Sequence, residues 1–132
     1  MATWSDEAKI LQLDAIGAAC DDSGGDHAYI EMQTAASNVA ATLPLNHDGV
    51  DPAAGTGTVV AALNVDADVI DENCVGHAND ITKAVLKTPA AVTLATFPAG
   101  LTADEPTPEL IMTQRKIAAG EKFQITSGAL SL

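Results

Sequence analysis

Cys74 and His77, three residues apart in "CVGH", are the first side chains whose types and spacing suggest chemistry. A thiolate and an imidazole are both zinc ligands, and Cys20 and His27 would supply two more. Zinc needs four such ligands converging at short range. One C-x-x-H pair and two isolated residues do not make that pattern, so the expectation is a buried thiol, a loop histidine and no metal. "DADVIDEN" sets Asp66, Asp68, Asp71 and Glu72 close together, and calcium takes several oxygens. The EF-hand order fails, however. Counting from Asp66, the fifth residue is Ile70, the sixth is Asp71 where glycine is needed, and the twelfth is His77 in place of glutamate. A solvated acidic loop over 66–80 is expected, with a weak ion site on it as the alternative. Nucleophilic catalysis has no foothold. The histidines are His27, His47 and His77, and no G-x-S-x-G elbow accompanies them. Cys74 and His77 are too close in sequence to imply the spatial pairing of a thiol protease. "GTG" at Gly55 lacks the lysine and the following helix of a phosphate-binding loop. The many carboxylates show no discriminating spacing for glycosidase work. The expectation is a chain without catalytic residues or cofactor.

Composition points toward association. The chain has 132 residues, 47% of them apolar, yet its aromatics are only Trp4, Tyr29, Phe97 and Phe123. That length fits one domain, 1–132, with a helical region at 1–22 and a β domain over 27–132. Aromatic side chains bury far more area than alanine. A core of Ala, Val, Leu and Ile is therefore thin, and burial against neighbours would help it. The net charge is −12. Such a chain is repelled by bare phosphate and by an anionic membrane surface, so neither nucleic acid nor membrane is an expected partner. Residues 1–80 carry 14 acids and one base, a net of −13, while residues 81–132 carry four acids and five bases, a net of +1. Either one end of the molecule is negative, or the acids simply keep an alanine-rich protein soluble; the second reading is preferred because folding can intermix the halves. Cys20 and Cys74 make no disulfide framework, and "MATWSDEAK" has neither a basic region nor an apolar run. Free thiols, no secretion signal and synthesis in a reducing cytoplasm are expected.

The elements that would position these residues are legible in part. "SDEAKILQLDAIGAAC" is the best helix: Ser5 can cap it, and Asp6 and Glu7 sit at its positive end. Ile10, Leu13 and Ile16, with Leu11 and Cys20 alongside, make an apolar stripe at helical spacing. "DDSGGD" then breaks the chain. From there the period is two. "HAYIEMQT", "TVVAALNV", "ITKAVLK", "AVTLATF", "LIMTQRKI" and "FQITSGALSL" read as strands, and "TVVAALNV" is the clearest buried one. "AASNVAATLPLNHDGVDPAAGTG" reads as loop, "DADVIDENCVGHAND" as acidic and irregular, and "AGLTADEPTPE" as a proline-broken loop. The sum is a mainly β, α+β chain: a small antiparallel β-sandwich or barrel with one N-terminal helix.

Both termini carry apolar residues that chain ends usually lack. Trp4 at the helix start is either a local packing anchor or a partner contact. The candidate partner contacts are Trp4, Ile10 and Leu11 at one end and Phe123, Leu130 and Leu132 at the other. The expectation is that one terminus packs on another chain.

Two segments carry a resemblance. "WSDEAKILQLDAI", a glycine turn and "HAYIEMQT" resemble the opening of small structural proteins of tailed bacteriophages, with Leu13-Asp14-Ala15-Ile16 as the matching run. "KIAAGEKFQITSGALSL" resembles their closing hairpin through Ile117, Gly120, Phe123 and Ile125. The likeness covers about the first 35 and last 17 residues, and the acidic middle departs from it. It implies a virion component made in the host cytoplasm, in its preferred form a capsid cement or decoration protein. It also implies the major capsid protein as partner, and self-association, often as a homotrimer at lattice three-fold sites. A neck, tail or fibre component is the alternative. So is a small β-sandwich that binds a ligand, although such a module wants exposed aromatics near loops and only Tyr29 and Trp4 are at hand.

Overall fold

The computed structural model describes residues 3–21, 27–46, 49–65, 69–101, 104 and 108–132. Helix α1 spans Asp6–Ala19. The Ser5 hydroxyl accepts the Ala8 N–H at 3.2 Å, satisfying one of the free donors of the first turn. Eight strands follow: β1 (Tyr29–Thr34), β2 (Val39–Pro44), β3 (Val60–Ala62), β4 (Ile70–Asp71), β5 (Ile81–Lys87), β6 (Thr93–Gly100), β7 (Leu110–Met112) and β8 (Phe123–Ser131). They form one sheet in the order β2-β1-β5-β6-β7-β8-β3, with β4 also paired to β8. Every pairing is antiparallel except β6 with β7. The fold is thus mainly β, a curled, antiparallel-rich sheet with one N-terminal helix, as the alternating segments predict.

Six strands are legible in the sequence and two are not. β2 lies inside the stretch read as loop. Alanine is a poor strand former, so "VAAT" carries little signal. β2 exists because it is the return arm of a hairpin: Thr34 N–H donates to Asn38 O at 3.0 Å, and Ser37 takes a positive φ of 68° between them. β4 is a two-residue pairing of Ile70 and Asp71 with Gln124 and Phe123. The segment expected as the clearest strand, 58–65, is laddered only at Val60–Ala62, although Val59 and Leu63 also hydrogen-bond to Leu132 and Gly128. Pro89 lies in the turn between β5 and β6, closed by the Thr88 N–H to Val92 O bond of 2.9 Å.

β8 is the hub. Its nine residues pair with β4 at 123–124, with β7 at 125–128 and with β3 at 129–131. The chain's last residue continues the ladder, since Leu132 and Val59 exchange backbone hydrogen bonds of 3.0 and 3.1 Å. The apolar tail is therefore tucked into its own domain, and removing 128–132 would take away the partner of β3.

The sheet's two end strands are both covered, which removes the open edges that invite aggregation. Residues 50–54 bridge to β3 through Val50↔Leu63 and Ala54↔Val60. On β2, Gly76 N–H donates to Ala40 O at 2.9 Å and Thr42 N–H to the Asp71 carboxylate at 2.9 Å. The β2 edge so meets the segment around β4, and the sheet curls back on itself.

One cluster of buried residues fills the interior, joining Leu13 and Cys20 of the helix region to Ile30, Met32, Leu43, Leu86, Phe97, Leu110 and Phe123 of the sheet. The basic C-terminal half and the acidic N-terminal half interleave, because β8 pairs with β3 and β4. Lys87 of β5 meets Glu31 of β1 at 3.1 Å.

Gly76 is required by geometry. Its φ is +73°, and a methyl group there would collide with the backbone of residues 117–119. Gly76→Ala combines a left-handed conformation with a backbone clash, and should lower stability by about 2 kcal/mol or more in urea titration. An unchanged midpoint would contradict this packing.

Candidate functional site

Cys20 and Cys74 are free thiols, both buried. Burial, followed by the nearby Asp21 carboxylate, pushes the Cys20 thiol up to about 11. Burial followed by Asp71 does the same for Cys74, also to about 11. The Cys74 thiol points at Asp71 O, 3.7 Å away. The His77 ring accepts the Asn79 backbone N–H at Nδ1, 3.0 Å, and the His77 backbone N–H donates to Ile117 O. Among the described residues no group of three or more His, Cys, Asp or Glu side chains is placed to hold a metal ion. Asp66 and Asp68 of the acidic loop lie outside the described residues, and Asp71 is occupied. Its two oxygens accept the N–H groups of Thr42 and Asn73 at 2.9 and 3.0 Å.

Asp71 is one of a set. Asp6 accepts from Gly57 N–H at 3.1 Å, Asp14 from Ala53 N–H at 2.9 Å, and Asp104 from Leu101 N–H at 2.8 Å. Glu121 accepts from Ala118 N–H at 3.1 Å. Each carboxylate satisfies a backbone donor, in a loop or, for Thr42, on the outer edge of β2. Lys9 completes the helix attachment by donating to Gly57 O at 2.5 Å, so α1 is tied to residues 53–57 by three polar contacts. Asp104 also pairs with Arg115. Local sequence gives no sign of these roles, because each links residues that are distant in the chain or sit in an irregular turn.

The six candidate contact residues separate into three groups by burial. Phe123 and Leu130 are 2% and 4% exposed and belong to the chain's own core. Both are candidate contacts in the sequence reading, yet alternation turns Phe123 and Ile125 inward and, past the exposed Thr126 and Ser127 where the β7–β8 register shifts, Gly128 and Leu130 turn inward, so both side chains face the chain's own core. Ile10 is half-buried against the same core. Trp4, Leu11 and Leu132 are 56%, 65% and 45% exposed. Val75, at 73% exposure, is a further apolar surface residue that sequence reading missed. Its only signal was an apolar residue within an acidic, irregular stretch.

Two concave features lie near these residues. A cleft of about 200 Å³ runs between α1, β6 and the end of β8, lined by Leu13, Ile16, Phe97, Leu130, Leu132 and Glu109 among others. Partial burial raises the Glu109 carboxyl above its ordinary value. A shallow groove of about 420 Å³ lies between residues 75–78 and 116–119 and is mostly apolar. Neither gathers acid, base and nucleophile together.

Comparison with known proteins found no matching family model, no matching curated protein and no matching solved structure.

Two predictions test this assignment of residues. Leu130→Ala should cost about 2–5 kcal/mol, as a buried leucine truncation does, whereas Leu132→Ala should cost about 1 kcal/mol or less. Urea denaturation of both variants checks it, and equal losses would contradict the burial pattern. For the thiols, a rise from 9.0 to about 11 cuts the thiolate fraction at neutral pH roughly a hundredfold. The folded protein should therefore resist a thiol reagent that labels both cysteines after unfolding. Below pH 9 both states keep the thiol protons. Between 9 and about 11 the unfolded chain loses them first, so stability should fall as pH rises through that window.

Proposed function

We propose that this chain is a non-enzymatic virion structural protein, a capsid cement that binds the shell in many copies and reinforces it. The observation that carries the reading is the use made of its polar residues. Carboxylates that could have formed a reactive group instead clamp backbone, in loops at Gly57, Ala53, Leu101 and Ala118 and on the outer edge of β2 at Thr42. A sheet with both end strands covered is a self-contained unit that can be set repeatedly on a lattice without pairing edge to edge. The residues of the phage-like segments support it further. Leu13 is core, Asp14 anchors the helix, and Ile117, Gly120, Phe123 and Ile125 form the turn and inward face that lead into β8. Exposed apolar residues on α1 and at Val75 offer contact area, and many weak contacts add by multivalency on a lattice. The partners under this reading are the major capsid protein and further copies of the chain, at the capsid surface.

Quantitative mass spectrometry of purified particles from the source virus is the test. Copies in the hundreds, in a simple ratio to the major capsid protein, are expected. A dozen or fewer would place the chain in a neck or tail. Absence from particles would overturn the virion reading.

A further inference from the structure

The three exposed apolar residues Trp4, Leu11 and Val75 belong to two surfaces of opposite shape, while Val60, Val92 and Leu132 are exposed elsewhere. One is convex. Trp4 lies just before the cap of α1, and Leu11, Ala15 and Ala18 are exposed along the helix, away from the buried Leu13. Leu11 to Ala15 and Ala15 to Ala18 are steps of four and three residues, so these side chains share one face. Glu7 and Asp14, seven residues apart and so in line, run beside that face, and both are exposed. A second apolar face opposite the one a helix already buries leaves a stripe in water.

The other surface is concave. It is the groove of about 420 Å³ with Val75, His77 and Ala78 on one side and Lys116, Ala118 and Ala119 on the other. Val75 is the most exposed large apolar residue described, at 73%. Gly76 creates the hollow, since the absence of a side chain lets the backbone of 117–119 come close. Lys116 is the one acidic or basic side chain on the lining other than His77. Its ion pair with Asp80 is long, 4.0 Å, and both side chains are more than half exposed, so Lys116 can turn to another carboxylate.

We infer that the α1 stripe of one copy docks into the Val75–Ala119 groove of a second copy, with Lys116 meeting the Glu7 and Asp14 side of the incoming helix. The charges choose the orientation. Stripe against stripe in antiparallel fashion would bring the Glu7 and Asp14 rows of two copies together, whereas stripe against groove brings carboxylate to ammonium. The two patches differ, so the contact is head-to-tail, and repeating it makes a ring if the rotation closes. The overall charge of −12 opposes association. Added salt screens that long-range repulsion while the apolar contact remains. Self-association through these patches does not depend on what else the chain binds.

Complementation tests it. Leu11→Asp spoils the stripe and Val75→Asp spoils the groove. Both sites are exposed, so both variants should keep the wild-type circular dichroism spectrum. Sedimentation equilibrium of the wild type in about 0.5 M salt, at rising concentration, should show a mean mass climbing above 13.4 kDa. Each variant alone should associate at least about tenfold more weakly. An equimolar mixture retains one intact stripe and one intact groove per pair, so it should recover a species of twice 13.4 kDa and nothing larger. A wild type that stays monomeric at every concentration overturns the inference. So does association that Val75→Asp leaves intact, or a mixture that recovers nothing.

Discussion

The backbone of β8 must find partners for donors and acceptors along both edges, and the rest of the molecule is arranged around meeting that demand. Residues 123–131 are served in turn by β4, β7 and β3, three short strands from widely separated parts of the chain. None of the three could persist alone, since two or three residues of ladder are far too little. Their common dependence on one long strand makes the fold cooperative from the last residues inward. It also explains why a chain end that looks sticky in sequence is held so firmly.

What the ladder leaves unpaired, carboxylates take up. The high acid content first reads as solubility or as a partner-steering field. At Asp6, Asp14, Asp71, Asp104 and Glu121 it does a more local job, accepting N–H groups in the loops and, at Thr42, on the outer edge of β2. Charge-assisted bonds of this kind hold irregular backbone better than neutral ones. An alanine-rich chain with few aromatics has limited apolar area to fix its loops, and these clamps supplement it.

The surface that remains has an uneven apolar distribution. Phe97 and Phe123 fill the core, while Trp4, Leu11, Val75 and Leu132 stay in water. Single exposed apolar residues are ordinary on any protein. A helix stripe and a groove on one molecule differ in shape and local charge, and a contact between them would leave the covered sheet edges intact.

The sequence by itself determined the fold class, the helix with its Ser5 cap, and those strands whose alternation or β-branched content is strong, such as β1, β5 and β6. These are local properties, carried by side-chain period and capping chemistry within a few residues. It also sufficed to set aside an EF-hand, a phosphate loop and a nucleophile elbow, which are patterns of spacing. Tertiary structure alone decided that β2 and β4 are strands, because alanine and two-residue ladders carry no propensity signal and arise from what lies alongside. It alone divided Phe123 and Leu130 from Leu11 and Leu132, since hydrophobicity is the same on either side of a sheet or helix and only the neighbour determines which side is buried. Gly76 and Val75 became visible for the same reason: the groove they form exists only where two segments some forty residues apart in sequence come together.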